Sequence, residues 1–427
     1  MKSNKGFNLL SVIIIICITS IVSGITTGII VTNSYKSSTG LSYNDLLNDE
    51  QLNEFLEVYS SVVNNYYEEV DTTEMLDTAL DAMLNYLGDN YTTYLTSDQS
   101  ADLEEKLAGT YQGIGISFSM SEETGEPTII SVTKNSPAEK SGLLARDILV
   151  SIDGTSLADK NSEEIKNMIR NSNKSAITLV ISRNGTEMTF NVNIENVEDV
   201  NVNYTLIENT NVGYLQIDSF TKTISNQVNN ALTDLENQGM QKLIIDLRYN
   251  GGGYLESAEE TVNIFLEKGK LIYSLENKDA KANYYDETDA HKTYPIAILL
   301  NDQSASASEI LAAALKDSYD YGAYFVGATS YGKGLVQQTY DLSDGSMAKY
   351  TSARWLRPNG QCINGIGLVP DYPVQKEDLY DEAGNPIDNQ LQKAVEVLSA
   401  LWCTFFDICK KLLYNAFKKE EFDENRR

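Results

Sequence analysis

Histidine is nearly absent from this chain: 427 residues carry one, His291. It sits in a polar stretch, Asp289-Ala290-His291-Lys292, ahead of Pro295. That is the setting of a surface loop rather than of a Ser-His-Asp triad. Cysteine is scarce too. Cys17, Cys362, Cys403 and Cys409 are too few and too scattered for a disulfide framework, and no Cys-x-x-Cys or Cys/His cluster points to a metal. Neither a metal nor a cofactor is expected. Basic residues are outnumbered, 33 Lys and Arg against 61 Asp and Glu, for a formal charge of −28. This balance argues against a nucleic-acid partner, which needs basic patches.

One long uncharged run stands near the start. Lys2 and Lys5 precede Leu9–Val31, whose core is Val12-Ile13-Ile14-Ile15-Ile16. The length suffices to span a bilayer as a helix. Lysines before it and acidic residues after it place the N-terminus in the cytoplasm and the rest outside. The expectation is a single-pass cell-membrane protein with an extracytoplasmic body. A cleaved signal peptide is the alternative. Cys17 follows Ile16 rather than a small residue, so no lipobox is visible.

Composition divides the chain into an N-terminal anchor or signal at 1–33, a helical region at 42–107, a β-rich module at 108–195, an α/β core at 196–374 and a helical tail at 375–427. A linker containing Ser37-Ser38-Thr39-Gly40 follows the anchor. Leu52, Phe55, Leu56, Tyr59, Val62 and Val63 recur at helical spacing, as do Leu76, Leu80, Met83, Leu84 and Leu87. Short apolar runs then appear at Ile114–Phe118, Ile129–Val132, Ile148–Ile152, Ile177–Ile181 and Met188–Val192. Beyond them Val212–Ile217, Leu243–Leu247, Ile296–Leu300 and Tyr324–Val326 alternate with helical stretches, which predicts an α/β fold. The tail from Gln390 carries Leu401, Phe405, Ile408, Leu412 and Leu413 roughly on one face. It would pack on the core or mediate a homodimer, with a membrane surface as the other reading.

Gly113-Ile114-Gly115-Ile116 opens the β-rich module. Such glycine–apolar alternation leaves backbone N–H groups free to converge on a carboxylate. It is followed by Asn135-Ser136-Pro137-Ala138, Ser141-Gly142-Leu143, Arg146-Asp147-Ile148-Leu149 and Ile152-Asp153-Gly154. The series resembles a PDZ domain. The resemblance implies capture of a protein C-terminus, with the peptide added as a strand and the helix Ser162–Ile169 as the groove's other wall. Ile114, Ile116, Ile165 and Ile169 would line that groove. A glycine usual near Asn171–Ser175 is missing. Arg170 closes the helix, as a partner for a carboxylate or another domain, or as a cation at a helix C-terminus.

The chemistry concentrates in three segments. Asp246-Leu247-Arg248-Tyr249-Asn250-Gly251-Gly252-Gly253 follows an apolar strand, and its glycines offer backbone N–H groups for an oxyanion hole. No Gly-Lys-Ser/Thr follows, which argues against a phosphate loop. Asp246 and Arg248 brace this loop. Ser304-Ala305-Ser306-Ala307-Ser308 leads into the strong helix former Glu309–Leu315, so Ser308 sits at a helix N-terminus that favours developing negative charge. Ser304 and Ser306 cap or pack. A serine needs a base to become a nucleophile. With histidine so scarce, the glycine-flanked Lys333 is the natural one, since burial would let a neutral amine take the proton. In extended structure Gln337 shares a face with Lys333 and could hold its amine.

These motifs, with Gly365-Ile366-Gly367-Leu368-Val369-Pro370-Asp371 and Asp89-Asn90-Tyr91-Thr92-Thr93-Tyr94, together resemble the carboxyl-terminal processing (tail-specific) peptidases, from about Leu52 to about Val374. The resemblance implies Ser308 as nucleophile, Lys333 as general base and Gln337 as its positioning partner, on a ClpP/crotonase-like α/β core with an inserted PDZ domain. It also implies oxyanion donors from Gly252 or Gly253 and from a backbone N–H beside Ser308, such as that of Glu309. Asp89-Asn90-Tyr91 departs from the family's usual Asp-Pro-Tyr, a departure expected to touch no catalytic residue. The implied function is a membrane-anchored endopeptidase acting on proteins with exposed C-termini. A non-catalytic PDZ scaffold and a crotonase-like acyl-CoA enzyme are the rivals. The intact Ser308, Lys333 and Gln337 set weighs against the first, and the export segment against the second.

Overall fold

The computed structural model describes residues 48–400, apart from 122–123, 171–173 and 382. The Leu9–Val31 run, the face formed by Leu401 to Leu413 and most of the turn near Asn171 lie outside the described residues. Among the described residues no helix is long and apolar enough to cross a membrane. Two units divide after Met83. In the first, α1 (Glu50–Asn65) starts where the Asp49 carboxylate accepts the Leu52 N–H at 2.9 Å. None of its residues is buried, so the stripe through Leu52, Phe55 and Leu56 stays exposed. Helix α2 (Thr72–Asn85) follows.

In the second unit a short strand, β1 (Thr93–Leu95), precedes α3 (Ser97–Ala108), which opens with a Thr96–Gln99 capping box. Strand β2 (Thr110–Gly113) leads into an antiparallel sheet of β3 (Ile116–Met120), β4 (Pro127–Val132), β5 (Ile148–Ile152), β6 (Thr155–Ser156), β7 (Ala176–Arg183) and β8 (Thr186–Asn193). Helices α4 (Pro137–Ser141) and α5 (Ser162–Arg170) belong to the same module. The strand expected at Ile114–Phe118 is broken at Gly115, whose φ is +84°, so β3 begins only at Ile116. Strand β9 (Glu195–Glu198) then pairs with β2, and this ladder ties the module's entry to its exit.

The remaining elements are β10 (Val202–Leu206), β11 (Val212–Ile217), α6 (Ile224–Asn237), β12 (Lys242–Asp246), α7 (Leu255–Val262), β13 (Leu271–Glu276) and β14 (Lys281–Tyr285). After them come β15 (Ile296–Leu300), α8 (Ala307–Ser318), β16 (Ala323–Gly327), β17 (Leu335–Asp341), β18 (Met347–Leu356) and β19 (Tyr372–Pro373). One sheet runs β10-β11-β12-β15-β16-β19, parallel except for β10. Strands β12 and β15 read Lys-Leu-Ile-Ile-Asp and Ile-Ala-Ile-Leu-Leu, and every residue is buried. Such near-continuous apolar runs suit parallel strands covered on both faces. Leu243, Ile245, Ile296 and Ile298 join the core with α6, α7 and α8, whereas Ile244, Ala297 and Leu299 pack with Ala394, Val397 and Leu398 of a helix at 389–400. Helix α8 is buried from Ala307 to Leu315, and apart from Ser308 and Glu309 that stretch is apolar, as suits a core helix. A second, antiparallel sheet follows the order β1-β18-β13-β14, with β17 also on β18. The sequence reading did not anticipate it.

Candidate active site

Strands β12, β15 and β16 are parallel neighbours, so the segments leaving their carboxyl ends meet at one edge of the sheet. The three chemistry-bearing segments are those that follow these strands. They interlock: the Ser304 hydroxyl donates to the Leu247 carbonyl at 2.8 Å, and the Tyr331 N–H donates to the Ser304 carbonyl at 3.0 Å. Ser304 therefore packs and ties, as expected. Ser306 holds φ +58° and ψ −115°, an unusual conformation for a side-chain-bearing residue, at the turn into α8.

Ser308 lies in the first turn of α8 and is fully buried. Its hydroxyl donates to the Asn250 carbonyl at 2.9 Å. Lys333 approaches from the segment before β17, and its ammonium stands 4.8 Å from the centre of the Tyr91 ring. Burial pushes the lysine pKa down, and Lys349 reinforces this, while Asp89 and Glu309 pull it upward. The amine is thus easier to deprotonate than an ordinary lysine. In this arrangement the serine hydroxyl is engaged with a backbone carbonyl and not with that amine.

Gln337 does not hold Lys333 here. Its amide donates to the Thr351 hydroxyl at 3.3 Å, and that hydroxyl donates to Asp89, which also accepts from Thr92. Lys333 precedes β17, which begins only at Leu335, so the alternation of a strand does not extend from Gln337 back to it.

The oxyanion candidates also differ from expectation. The Gly252 N–H donates to the Asn250 side-chain oxygen at 2.9 Å, because that asparagine turns back on its own loop while its amide donates to the Ile217 carbonyl. The Ser308 N–H donates to the Ala305 carbonyl at 3.2 Å. Gly253 bridges to Phe220. Glu309 enters the site through its carboxylate, which accepts the Lys333 N–H at 2.9 Å. Gly252 has φ +105°, and a Cβ there would lie 2.9 Å from the Ala305 carbonyl oxygen, so the loop presses directly on the nucleophile's turn. Arg248 braces it from behind, bonded to Asp246, Asp388 and Gln390, with the Tyr214 hydroxyl on Asp246.

Four participants escaped the sequence reading: Asp89, Tyr91, Thr351 and the Glu309 side chain. The motif departs from Asp-Pro-Tyr at Asn90; beside that position Tyr91 lies against Lys333 and its hydroxyl meets that of Tyr331 at 3.4 Å. That Tyr331 bond and burial push the Tyr91 pKa up to about 12. The motif itself was the one available signal. His291 is exposed in its loop.

In the β-rich module Gly113, Ile114, Gly115, Ile116, Phe118 and Ile169 line a groove of about 370 Å³. Ile165 does not line it. One turn before Ile169, it is wholly buried in the module's own core. Arg170 lies at the groove's end and pairs with Glu105 of α3 at 3.5 Å, which favours the interdomain reading of that arginine.

Residues 211–374 match the model of peptidase family S41, residues 112–194 that of the PDZ domain, and residues 27–99 that of the activating protease CtpB N-terminal domain. Over 337 residues the chain is 34% identical to the carboxy-terminal processing protease CtpB of Bacillus subtilis, covering 78% of this chain and 69% of that protein. It is 33% identical to CtpA of the same organism, covering 86% and 78% of the two chains. It is 32% identical to a probable CtpA-like serine protease of Staphylococcus aureus, covering 79% of this chain and 66% of that one. Among solved structures the photosystem II D1 C-terminal processing protease aligns with a TM-score of 0.44 at 26% identity, over 79% of this chain and 96% of that one.

Proposed function

The chain belongs to peptidase family S41, among the carboxy-terminal processing proteases with a PDZ domain, and on that premise we propose that this serine-type endopeptidase works through a Ser-Lys dyad. Ser308 is the nucleophile and Lys333 the general base; Gln337, whose amide rests on Thr351, would orient the lysine only after turning from that hydroxyl. The observation that carries this reading is the convergence of the Ser308 and Lys333 segments from adjacent parallel strands, with the lysine pKa lowered by burial. The Ser308–Asn250 bond fits a resting arrangement. Rotation of the Ser308 side chain would turn the hydroxyl from the carbonyl toward the amine, the kind of tightening common when substrate binds. The oxyanion would then be met by N–H groups of the Gly252–Gly253 loop, once the Gly252 N–H leaves the Asn250 side chain, and of the α8 N-terminus.

The finer assignments follow the same reading. The parallel sheet with its antiparallel companion suits a ClpP/crotonase-like core. The groove beside Ile116 suits a peptide added along β3, with the Gly113–Ile116 backbone receiving its terminal carboxylate. Leu9–Val31 would anchor the chain in the cell membrane with its body extracytoplasmic. The exposed stripe of α1 suits a homodimer. Hydrolysis of unfolded casein by the full-length protein in detergent tests the catalytic assignment. The natural chain should cleave, and Ser308→Ala, with an unchanged melting temperature, should not. Cleavage by that variant would remove Ser308 from the reaction.

A further inference from the structure

The residue that follows the nucleophile is a carboxylic acid with no exposed surface. Glu309 is wholly buried, and its carboxylate accepts four hydrogen bonds. One oxygen takes the Ser330 hydroxyl at 2.5 Å and the Gly332 N–H at 2.7 Å; the other takes the Ser306 N–H at 2.8 Å and the Lys333 N–H at 2.9 Å. One donor comes from the turn that carries Ser308, and three come from the segment that carries Lys333. A buried charge is costly unless it is fully hydrogen-bonded, and bonds to an ionised acceptor are the strong ones. Burial pushes the Glu309 pKa up, and the four donors, two on each oxygen, pull it back toward the charged form.

The lysine segment is held from its other sides as well. The Lys333 carbonyl accepts the Trp355 indole N–H at 2.9 Å, and the Gly332 carbonyl accepts the Gly365 N–H at 2.9 Å. Ser330 accepts the Leu368 N–H at 2.7 Å while donating to Glu309. Gly332 has φ +85°, and a Cβ there would stand 2.7 Å from the Gly367 nitrogen. The segment has no slack, and Glu309 is its link to the nucleophile's helix.

We propose that Glu309 is a positioning residue for the reaction, a buried carboxylate clamp that fixes the Lys333 backbone against the N-terminus of the Ser308 helix and sets the charge beside the lysine. The inference rests on the Ser308–Lys333 reading. The groups facing Lys333 are Asp89 and Glu309, both negative, Lys349, positive, and the Tyr91 ring with Tyr331 behind it. Loss of the Glu309 charge removes one of the two carboxylates that favour the ammonium form. The neutral amine then persists to lower pH. A glutamine would also turn an NH2 donor toward at least one backbone N–H, which can only donate.

The test measures kcat, KM and the pH dependence of kcat for the full-length natural chain, Glu309→Gln, Ser330→Ala and Lys333→Ala. Glu309→Gln should lose roughly 10-fold or more in kcat with KM little changed, as expected for misplacement of a catalytic group. The acid limb of its kcat profile should move to lower pH. Ser330→Ala should lose less kcat and keep the acid limb in place, since the carboxylate stays charged. A folded Glu309→Gln with natural kcat and an unmoved limb, beside an inert Lys333→Ala, overturns the clamp and leaves the dyad standing. A kcat loss with an unmoved limb reduces Glu309 to packing and also overturns the inference. Activity in Lys333→Ala sinks the Ser-Lys reading itself, whatever Glu309 does. If Glu309→Gln does not fold, Ser330→Ala decides: an undiminished kcat overturns the clamp, and a diminished one with the limb in place supports it.

Discussion

Lys333 owes its character to burial, with Lys349 adding repulsion against the ammonium form and Asp89 and Glu309 opposing it. The net direction is downward, so the proton leaves at a lower pH than from a free lysine. If the neutral amine is the base, the rate rises with pH through that lowered pKa and then levels. We expect casein cleavage to increase from pH 6 toward pH 9; a monotonic fall over that range in folded enzyme would contradict a lysine base. Lys333→Ala should be inert, while His291→Ala, in an exposed loop, should stay close to the natural rate. The convergence of the Ser308 and Lys333 segments could be anticipated because few side chains can perform nucleophile and base chemistry when histidine is scarce. Tyr91 and Thr351 could not. Their contacts join segments more than two hundred positions apart, as the 240-residue separation of Tyr91 and Tyr331 illustrates, and no periodicity reports such contacts.

At the scale of elements, apolar runs alternating with helical stretches marked β12 and β15 as strands of an α/β core, and the structure shows them parallel. The antiparallel sheet escaped because its strands are only partly buried and its pairings join distant segments, as between β1 and β18. Gln337 rests on Thr351 rather than on Lys333 because alternation is a property of a strand, and Lys333 lies before β17 begins at Leu335. The glycine-rich loop was recognised, but the Asn250 side chain that occupies the Gly252 N–H was not, because its reach is a matter of local geometry. Gly252→Ala tests how closely that loop governs the nucleophile. With φ +105° and the Ala305 carbonyl in the way, the substitution should cost roughly 1–3 kcal/mol of stability in chemical denaturation. It should also lower kcat by much more than a surface substitution does. Behind the loop, Asp246→Ala strips the nearly buried Arg248 of one of its two carboxylates and should cost about 3 kcal/mol in the same measurement.

Within the second unit the PDZ domain is inserted between segments that together build the catalytic core. Strand β1 lies before the insert yet pairs with β18, far beyond it, and the β2–β9 ladder closes the insert's base. The change in composition at the module was visible in the sequence; the return of residues 93–95 to the antiparallel sheet was not, because three residues carry too little pattern. The groove along β3 presents the Gly113–Ile116 backbone at one end and Ile169 on its helical wall. If that backbone receives a carboxylate, the charge of a peptide's own C-terminus is the feature read, and apolar terminal residues should be preferred against Ile116, Phe118 and Ile169. Binding is best measured on the full-length Ser308→Ala protein, which should hold a peptide without cutting it. Amidating the C-terminus removes a charge-assisted set of hydrogen bonds worth about 1.5–3 kcal/mol, or roughly 10- to 100-fold in Kd. Equal affinity for free-acid and amidated peptides would show that the groove reads side chains alone, and selection of substrates by their C-termini would have to be abandoned.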